Sequence, residues 1–298
     1  MKILVIGASS FTGRNFCDYA REKGAEVIEA SLRDLKKLSM LLMEPQEYIV
    51  NFAALNVVAP SWEYPSDYLF TNVYALTSII DLLKDKPLKK FVQISTPEVL
   101  GSNVNWRKED ACYNPSTPYG VSKAAAEMML KVYAREMGFP MCITRSCNVY
   151  GARQQLYRLL PKIIAYVRGG KRFPLEGSGK SSRAFIHVTD CVDAIWRVMT
   201  DGMLGNTYHI STRELQPIHA IVKHVCDKLK VKFDSAVELV PERIGKDMYY
   251  MLDSGRIRAE LGWQDTVSFD RGLDEMIAWI EKDWDTVSQS SFDYEHRP

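Results

Sequence analysis

Metal and disulfide chemistry find little material in this sequence. Its six cysteines (Cys17, Cys112, Cys142, Cys147, Cys191 and Cys226) include no CxxC pair, and there is no His-rich spacing beside them. That argues against a zinc site or a disulfide frame, and for reduced thiols in a cytoplasmic protein. An excess of one charge is also missing. Lys and Arg number 38 against 37 Asp and Glu, a net charge of +1, so nothing draws the chain to nucleic acid or to an anionic membrane. No apolar run approaches the length of a membrane span, and Lys2–Ile6 is too short for the core of a signal peptide. Internal repeats and low-complexity segments are absent. What remains is a chain of 298 residues, enough to bury a large core as one big α/β domain or two modest ones.

Two stretches carry chemistry. Phe91 to Ile94 is an apolar run that stops at Ser95-Thr96-Pro97-Glu98, the pattern of a buried parallel strand delivering polar residues at its carboxyl end. In open α/β sheets, ligands sit beyond those strand ends. Pro118-Tyr119-Gly120-Val121-Ser122-Lys123 opens a helical pattern, Ser122 to Met137, with Tyr119 and Lys123 one turn apart on one face. A phenol with a pKa near ~10 is a poor base at neutral pH. A nearby ammonium favours the phenolate and lowers that value, so Tyr119 can take a proton from a sugar or alcohol hydroxyl. In isolation the same pair reads as a solvated Tyr and Lys at the start of a surface helix.

The amino-terminal stretch supplies context. Lys2-Ile-Leu-Val-Ile6 reads as a buried strand that enters Gly7-Ala-Ser-Ser-Phe-Thr-Gly13, and a helical pattern from Arg14 to Lys23 follows. Gly7 permits the tight turn, Gly13 lets helix and strand approach, and the helix amino terminus offers N–H groups to a pyrophosphate. Ser10 stands where a middle glycine is common; with Phe11 and Thr12 it completes the candidate cofactor turn. The bland alternative is a structural glycine turn. Glu26–Ala30 reads as the second strand, but no acidic residue ends it. Arg33 is placed to contact adenine or a ribose phosphate, or to be solvated, and Asp34 to cap the next helix. NAD and NADP both stay open. Tyr48–Ala54 is a third buried run, and Phe52, Ala53 and Ala54 at its end allow close approach of a cofactor. Asn72 lies inside a helix pattern, Pro65 to Lys84.

Met141–Arg145 is another strand ending in polar groups, and Asn148 follows it. Alternating strands and helices up to residue 150 imply a doubly wound parallel sheet, a Rossmann-like α/β domain over 1–150. Beyond Gly151 the rhythm breaks into short pieces, and 151–298 reads as mainly a smaller substrate-binding lobe, with segments around 183–210 able to join the sheet domain. Residues 284–298, rich in Ser, Asp and Gln, read as a poorly ordered tail.

Taken in order, Gly7…Gly13, Asn51-Phe-Ala-Ala54, Asn72, Ser95-Thr96, Tyr119…Lys123, Asn148-Val-Tyr-Gly151, Arg183-Ala-Phe-Ile-His-Val188, Gly205–Ile210 and Asp253–Trp263 resemble the extended short-chain dehydrogenase/reductase family. Within it the chain is most similar to the nucleotide-sugar 4,6-dehydratases, of which the dTDP-glucose enzyme is an example. The resemblance covers nearly the whole chain. It implies bound NAD, a nucleotide-diphosphate sugar in the carboxyl-terminal lobe, and transient oxidation at sugar C4. It implies Tyr119 as the base, Lys123 as its partner and nicotinamide-ribose ligand, and Ser95 and Asn72 beside the cofactor. Thr96 would bond the C4 oxygen, while Asn148, Arg183 and Arg243 hold substrate, the arginines on the diphosphate. It also implies a homodimer built on the Pro65–Lys84 and Tyr119–Met137 helices, whose outward apolar positions (Tyr74, Ile79, Met128, Tyr133) read equally as core.

The dehydratases carry Thr-Asp-Glu at this strand end, and here the triplet is Thr96-Pro97-Glu98. Proline has no proton to donate. Glu98 remains as a base for the C5 proton, or as a structural carboxylate. Three readings follow: a dehydratase relying on Glu98, a 4-epimerase or 4-dehydrogenase using only Thr96, Tyr119 and Lys123, and a non-catalytic dinucleotide-binding regulatory protein.

Overall fold

The computed structural model describes residues 1–102, 104–241 and 248–297. The chain runs through β1 (Lys2–Ile6), α1 (Phe11–Glu22), β2 (Glu26–Ala30), α2 (Leu35–Met43) and β3 (Tyr48–Asn51). Next, α3 (Pro65–Leu69) continues through a π-helical turn, Phe70–Tyr74, into α4 (Ala75–Leu83). β4 (Lys90–Ser95), a 3-10 turn at Pro97–Leu100, α5 (Pro118–Met137) and β5 (Met141–Ser146) follow. The second half comprises β6 (Asn148–Tyr150), α6 (Leu159–Arg168), β7 (Phe173–Glu176), β8 (Ser182–Arg183), β9 (Phe185–His187), α7 (Val188–Asp201) and β10 (Thr207–Ile210). It ends with β11 (Gln216–Pro217), α8 (Ile218–Lys228), α9 (Phe233–Ala236), β12 (Val237–Val240), α10 (Gly255–Leu261), α11 (Phe269–Lys282) and α12 (Trp284–Gln289).

Six strands form one parallel sheet in the order β2-β1-β3-β4-β5-β10. Both faces are covered, which is why the strands read as continuous apolar runs. Alternate residues serve opposite faces: Ile3 and Val5 pack with Phe16 of α1 and Val192 and Ile195 of α7. Leu4 and Ile6 pack with Leu38 of α2, Ile80 of α4 and Leu130 of α5. Strand order reverses between β1 and β3, so a crevice opens beyond their carboxyl ends, where open α/β sheets hold their ligands.

The sheet takes its edge strand, β10, and the covering helix α7 from residues well past 150. The remaining pieces make a second core around α6, α8 and α11, with Ile163, Val222, Leu273 and Met276 at its centre. Among the described residues its strands form two-stranded sheets: β6 with β9, β7 with β12, β8 with β11. Of the outward positions read on the two long helices, Tyr74 and Met128 are exposed, while Ile79 is buried and Tyr133 packs against the core.

The segment after residue 284 is not the loose tail expected from its composition. It forms α12, and Phe292 then packs on the second core. Over 291–297, exposed and half-buried residues alternate strictly, so Phe292, Tyr294 and His296 turn inward together.

Candidate active site

The glycine turn after β1 is as tight as its sequence demands. Gly7 has φ +80°, and a Cβ there would lie 2.6 Å from the Ala53 nitrogen. At Gly13 a Cβ would meet the Gly7 carbonyl oxygen at 2.5 Å. Ser10, at the middle position, caps α1: its hydroxyl accepts from the Gly13 N–H at 3.1 Å. Phe11 is buried in the core behind the turn and Thr12 is half-buried in the first turn of the helix. No acidic residue occupies that first turn, so the positive end of a twelve-residue helix faces the crevice uncompensated. Opposite, Ala53 is held by Asn51, whose Oδ1 accepts from the Ala53 N–H at 3.1 Å. Phe52 is buried and Ala54 half-buried beside it.

At the end of β4, Thr96 is extended, and the 3-10 turn from Pro97 brings Glu98 back so that the Thr96 hydroxyl donates to its carboxylate. Helix α5 begins at Pro118, earlier than the apolar pattern marks, because Thr117 caps it by accepting from the Gly120 N–H at 3.1 Å. A Cβ at Gly120 would lie 2.9 Å from the Glu98 carbonyl oxygen, so this glycine lets the helix start sit against the turn. Tyr119 is thereby buried with its phenol in hydrogen-bonding reach of Thr96 and in the field of Glu98. Thr96, Glu98 and Tyr119 form one cluster.

Lys123 is one turn further in, buried, with its ammonium donating to the Ile94 carbonyl at 2.8 Å. Burial lowers its pKa to about 8, against the pull of Glu127. The Tyr119 phenol moves opposite to the sequence-based expectation. Burial, then the Glu98 carboxylate, hold it above its ordinary value, against the hydrogen bond with Thr96 and the charge of Arg158. Burial and a neighbouring carboxylate outweigh the helical spacing.

The other candidates divide into those at the crevice and those behind it. The Ser95 hydroxyl donates to Glu127 at 2.5 Å, and Glu127 receives a forked grip from Arg145, with 2.6 Å to Nη2. Both charges are fully buried. Asn72 sits in the π-helical turn and binds both backbone groups of Leu55, at 2.9 and 3.0 Å, and the Ser122 hydroxyl at 2.9 Å. It therefore ties the loop after β3 to α5. Asn148 and Arg183 come together through Ala184, whose carbonyl accepts from the Asn148 amide at 3.3 Å. The Arg183 guanidinium bonds the Ser182 and Met248 carbonyls and lies 4.4 Å from the Tyr250 ring centre. Arg33 is exposed at the end of β2 and donates to the Arg297 carbonyl at 3.1 Å. Asp34 caps α2, accepting from the Lys37 N–H at 3.0 Å. Arg243 lies in 242–247, outside the described residues.

Three residues join the site without a sequence signal that singled them out. Arg158, at the start of α6, donates to Asn56 at 2.7 Å and favours the Tyr119 phenolate across the lobe boundary. Tyr68 is fully buried, edge-on to Tyr119 with ring centres 6.1 Å apart. Gln93 accepts from Asn51 at 2.9 Å and donates to the Ile94 carbonyl at 3.0 Å, the acceptor Lys123 also uses.

Comparison with known proteins bears on this geometry. Residues 3–211 match the sequence pattern of the NAD dependent epimerase/dehydratase family. The chain belongs to that family. It is 30% identical to the dTDP-glucose 4,6-dehydratase of Mycolicibacterium smegmatis, across 94% of this chain and 93% of that one. Among solved structures it resembles DesIV, the dTDP-glucose 4,6-dehydratase of Streptomyces venezuelae crystallised with NAD, at a TM-score of 0.88, 28% identity and 96% and 98% coverage. It likewise resembles the UDP-glucose 4-epimerase of Thermotoga maritima with UDP-glucose, at a TM-score of 0.89, 25% identity and 95% and 100% coverage.

The family's cofactor fits the residues present. The turn at Gly7 and Gly13 is a cradle that a Cβ at either position would fill, and it ends at a helix terminus without an acid. Among the described residues no cluster suits a metal ion, and no helix is long and apolar enough to cross a membrane.

Proposed function

We propose that this member of the NAD dependent epimerase/dehydratase family oxidises a nucleotide-diphosphate sugar at C4 and dehydrates the resulting 4-keto sugar, with Thr96, Glu98, Tyr119 and Lys123 in the reacting positions. The observation that carries the reading is the Thr96–Glu98–Tyr119 cluster at the ends of β4 and α5. Tyr119 takes the C4 hydroxyl proton, and Thr96 bonds the C4 oxygen. NAD, when bound, would supply the hydride acceptor for C4 and the hydride donor for C6, so that the net reaction is loss of water. Once C4 is a carbonyl the C5 proton is acidic, and Glu98 removes it. Pro97 has nothing to give the departing C6 hydroxyl, so Glu98 returns the same proton there. Once hydride is at C6, C5 takes a proton from solvent, and Tyr119 releases the C4 hydroxyl proton to solvent in turn. Lys123 holds the nicotinamide ribose. Gly7, Ser10, Gly13 and the α1 terminus receive the pyrophosphate, and Phe52, Ala53 and Ala54 line the crevice opposite. Asn148, Arg183 and Arg243 hold the nucleotide diphosphate.

Pro97 favours a second reading, a 4-epimerase that turns over without acid or base at C5. Glu98→Ala separates the two. The dehydratase reading predicts a variant that forms 4-keto sugar and stalls with the cofactor reduced, and the epimerase reading nearly unchanged turnover. Tyr119→Phe lowers kcat by about 10²–10⁴-fold under either. Unchanged function in that variant would point to a non-catalytic dinucleotide-binding protein.

The same reading includes a second copy of the chain. Leu69, Phe70 and Tyr74 on the α3–α4 helix and Val121, Met128 and Val132 on α5 are exposed on two helices packed side by side. A symmetric pairing would bury both apolar rows. Sedimentation at a mass of one chain would end that part. Five of the six cysteines are buried free thiols, which suits a reducing, cytoplasmic setting.

A further inference from the structure

The segment after α12 ties the second lobe to the rim of the dinucleotide crevice. Phe292 is anchored in the lobe, edge-on to Tyr166 with ring centres 5.6 Å apart. Two residues on, Tyr294 lies edge-on to Tyr157 at 5.2 Å and within reach of the Tyr68 hydroxyl. His296 stacks on Tyr64 at 4.2 Å, 9° from parallel, and its Nε2 is 2.9 Å from the Asp67 carboxylate. Its Nδ1 is buried and has no hydrogen-bond partner among the described residues. The Arg297 carbonyl accepts from Arg33, three residues beyond the end of β2.

This path crosses from α6 to the carboxyl ends of β3 and β2, over the loop that Tyr68 holds through the Val57 carbonyl. Six residues reach at most about 20 Å, and here they pass from Tyr166 on α6 to Arg33 beyond β2. Tyr68, which the segment touches, is itself the ring packed against Tyr119. We propose that residues 291–297 form a strap across the adenosine half of the crevice. Bound cofactor leaves only when Tyr294 and His296 lift from Tyr68 and Tyr64. The inference rests on the NAD reading above, and it assigns retention of the cofactor to residues remote from the glycine turn.

The test is the rate at which prebound NADH is chased by excess NAD, followed by NADH fluorescence. It compares the full chain, a chain lacking 291–298, and a His296→Ala, Tyr294→Ala double variant that keeps Phe292 anchored. The strap predicts release at least about tenfold faster in both altered proteins, since lost contacts at a closed site act on the off-rate. The double variant keeps the question open to decision if the shortened chain fails to fold. Unchanged release, or slower release, in the folded double variant overturns the strap while leaving the NAD reading intact. Failure of the full chain to bind NADH at all overturns the NAD reading, and the strap with it.

Discussion

The Thr96 hydroxyl donates to the Glu98 carboxylate across Pro97, and the phenol of Tyr119 lies in hydrogen-bonding reach of Thr96 and in the field of Glu98. Burial and then the carboxylate raise the phenol's pKa, the carboxylate because a negative charge disfavours a nearby phenolate. Glu98→Gln removes that charge. The expected outcome is a C4-oxidation step whose acid limb moves to lower pH, together with loss of the later elimination. A pH series of cofactor reduction in single turnover checks both at once. An acid limb that stays in place would mean that Glu98 does not act on Tyr119.

Lys123 gives a second pH signature. Burial holds its pKa at about 8 in the folded protein, below the ordinary 10.5. The unfolded chain therefore binds more protons between those values, and this group's contribution to stability grows as pH rises from about 8 to 10.5. Activity runs the other way, since above about 8 the ammonium loses its charge. Lys123→Arg keeps a cation throughout, so the alkaline fall in kcat/KM should move upward while the absolute rate drops. The pH profile of kcat/KM in both proteins is the measurement.

Behind the site, Glu127 and Arg145 are both fully buried and face each other at 2.6 Å. Glu127→Ala leaves the guanidinium buried with its carboxylate partner gone. A loss of about 3–5 kcal/mol in urea unfolding is expected. Ser95 and Tyr113 lose the same acceptor, so the end of β4 should loosen with it.

The turn at Gly7 combines positive φ with a backbone contact. Gly7→Ala places a methyl 2.6 Å from the Ala53 nitrogen. The two crevice walls must part, costing on the order of 1–3 kcal/mol, and NADH affinity should fall about tenfold or more. Fluorescence titration beside thermal unfolding measures both effects.

Much of this was readable in the sequence where one local rule governed. Gly7 and Gly13 lie where the turn leaves no room for side chains, and the apolar runs of β1, β3, β4 and β5 reflect a sheet covered on both faces. Asp34 caps its helix because its side chain reaches only local N–H groups. Long-range placement was less legible. Thr207–Ile210 is too short to announce which sheet it joins. Asn72 serves Leu55 and Ser122 because a π-turn redirects it, and no spacing rule marks such a turn. The direction of the Tyr119 pKa shift does not follow from i, i+4 spacing, which says nothing about burial. Composition misleads over 284–298, because Phe292, Tyr294 and His296 recur at every second position, the period of a segment with one side buried.

The most direct test of the account is the mass of the product formed when the protein is incubated with NAD and a panel of nucleotide-diphosphate sugars. The account predicts a product lighter by one water, and Glu98→Ala should stop before that loss. Unchanged mass with altered retention would make the enzyme an epimerase. Loss of two hydrogens with consumption of added NAD would make it a 4-dehydrogenase. Either result would contradict the role given to Glu98.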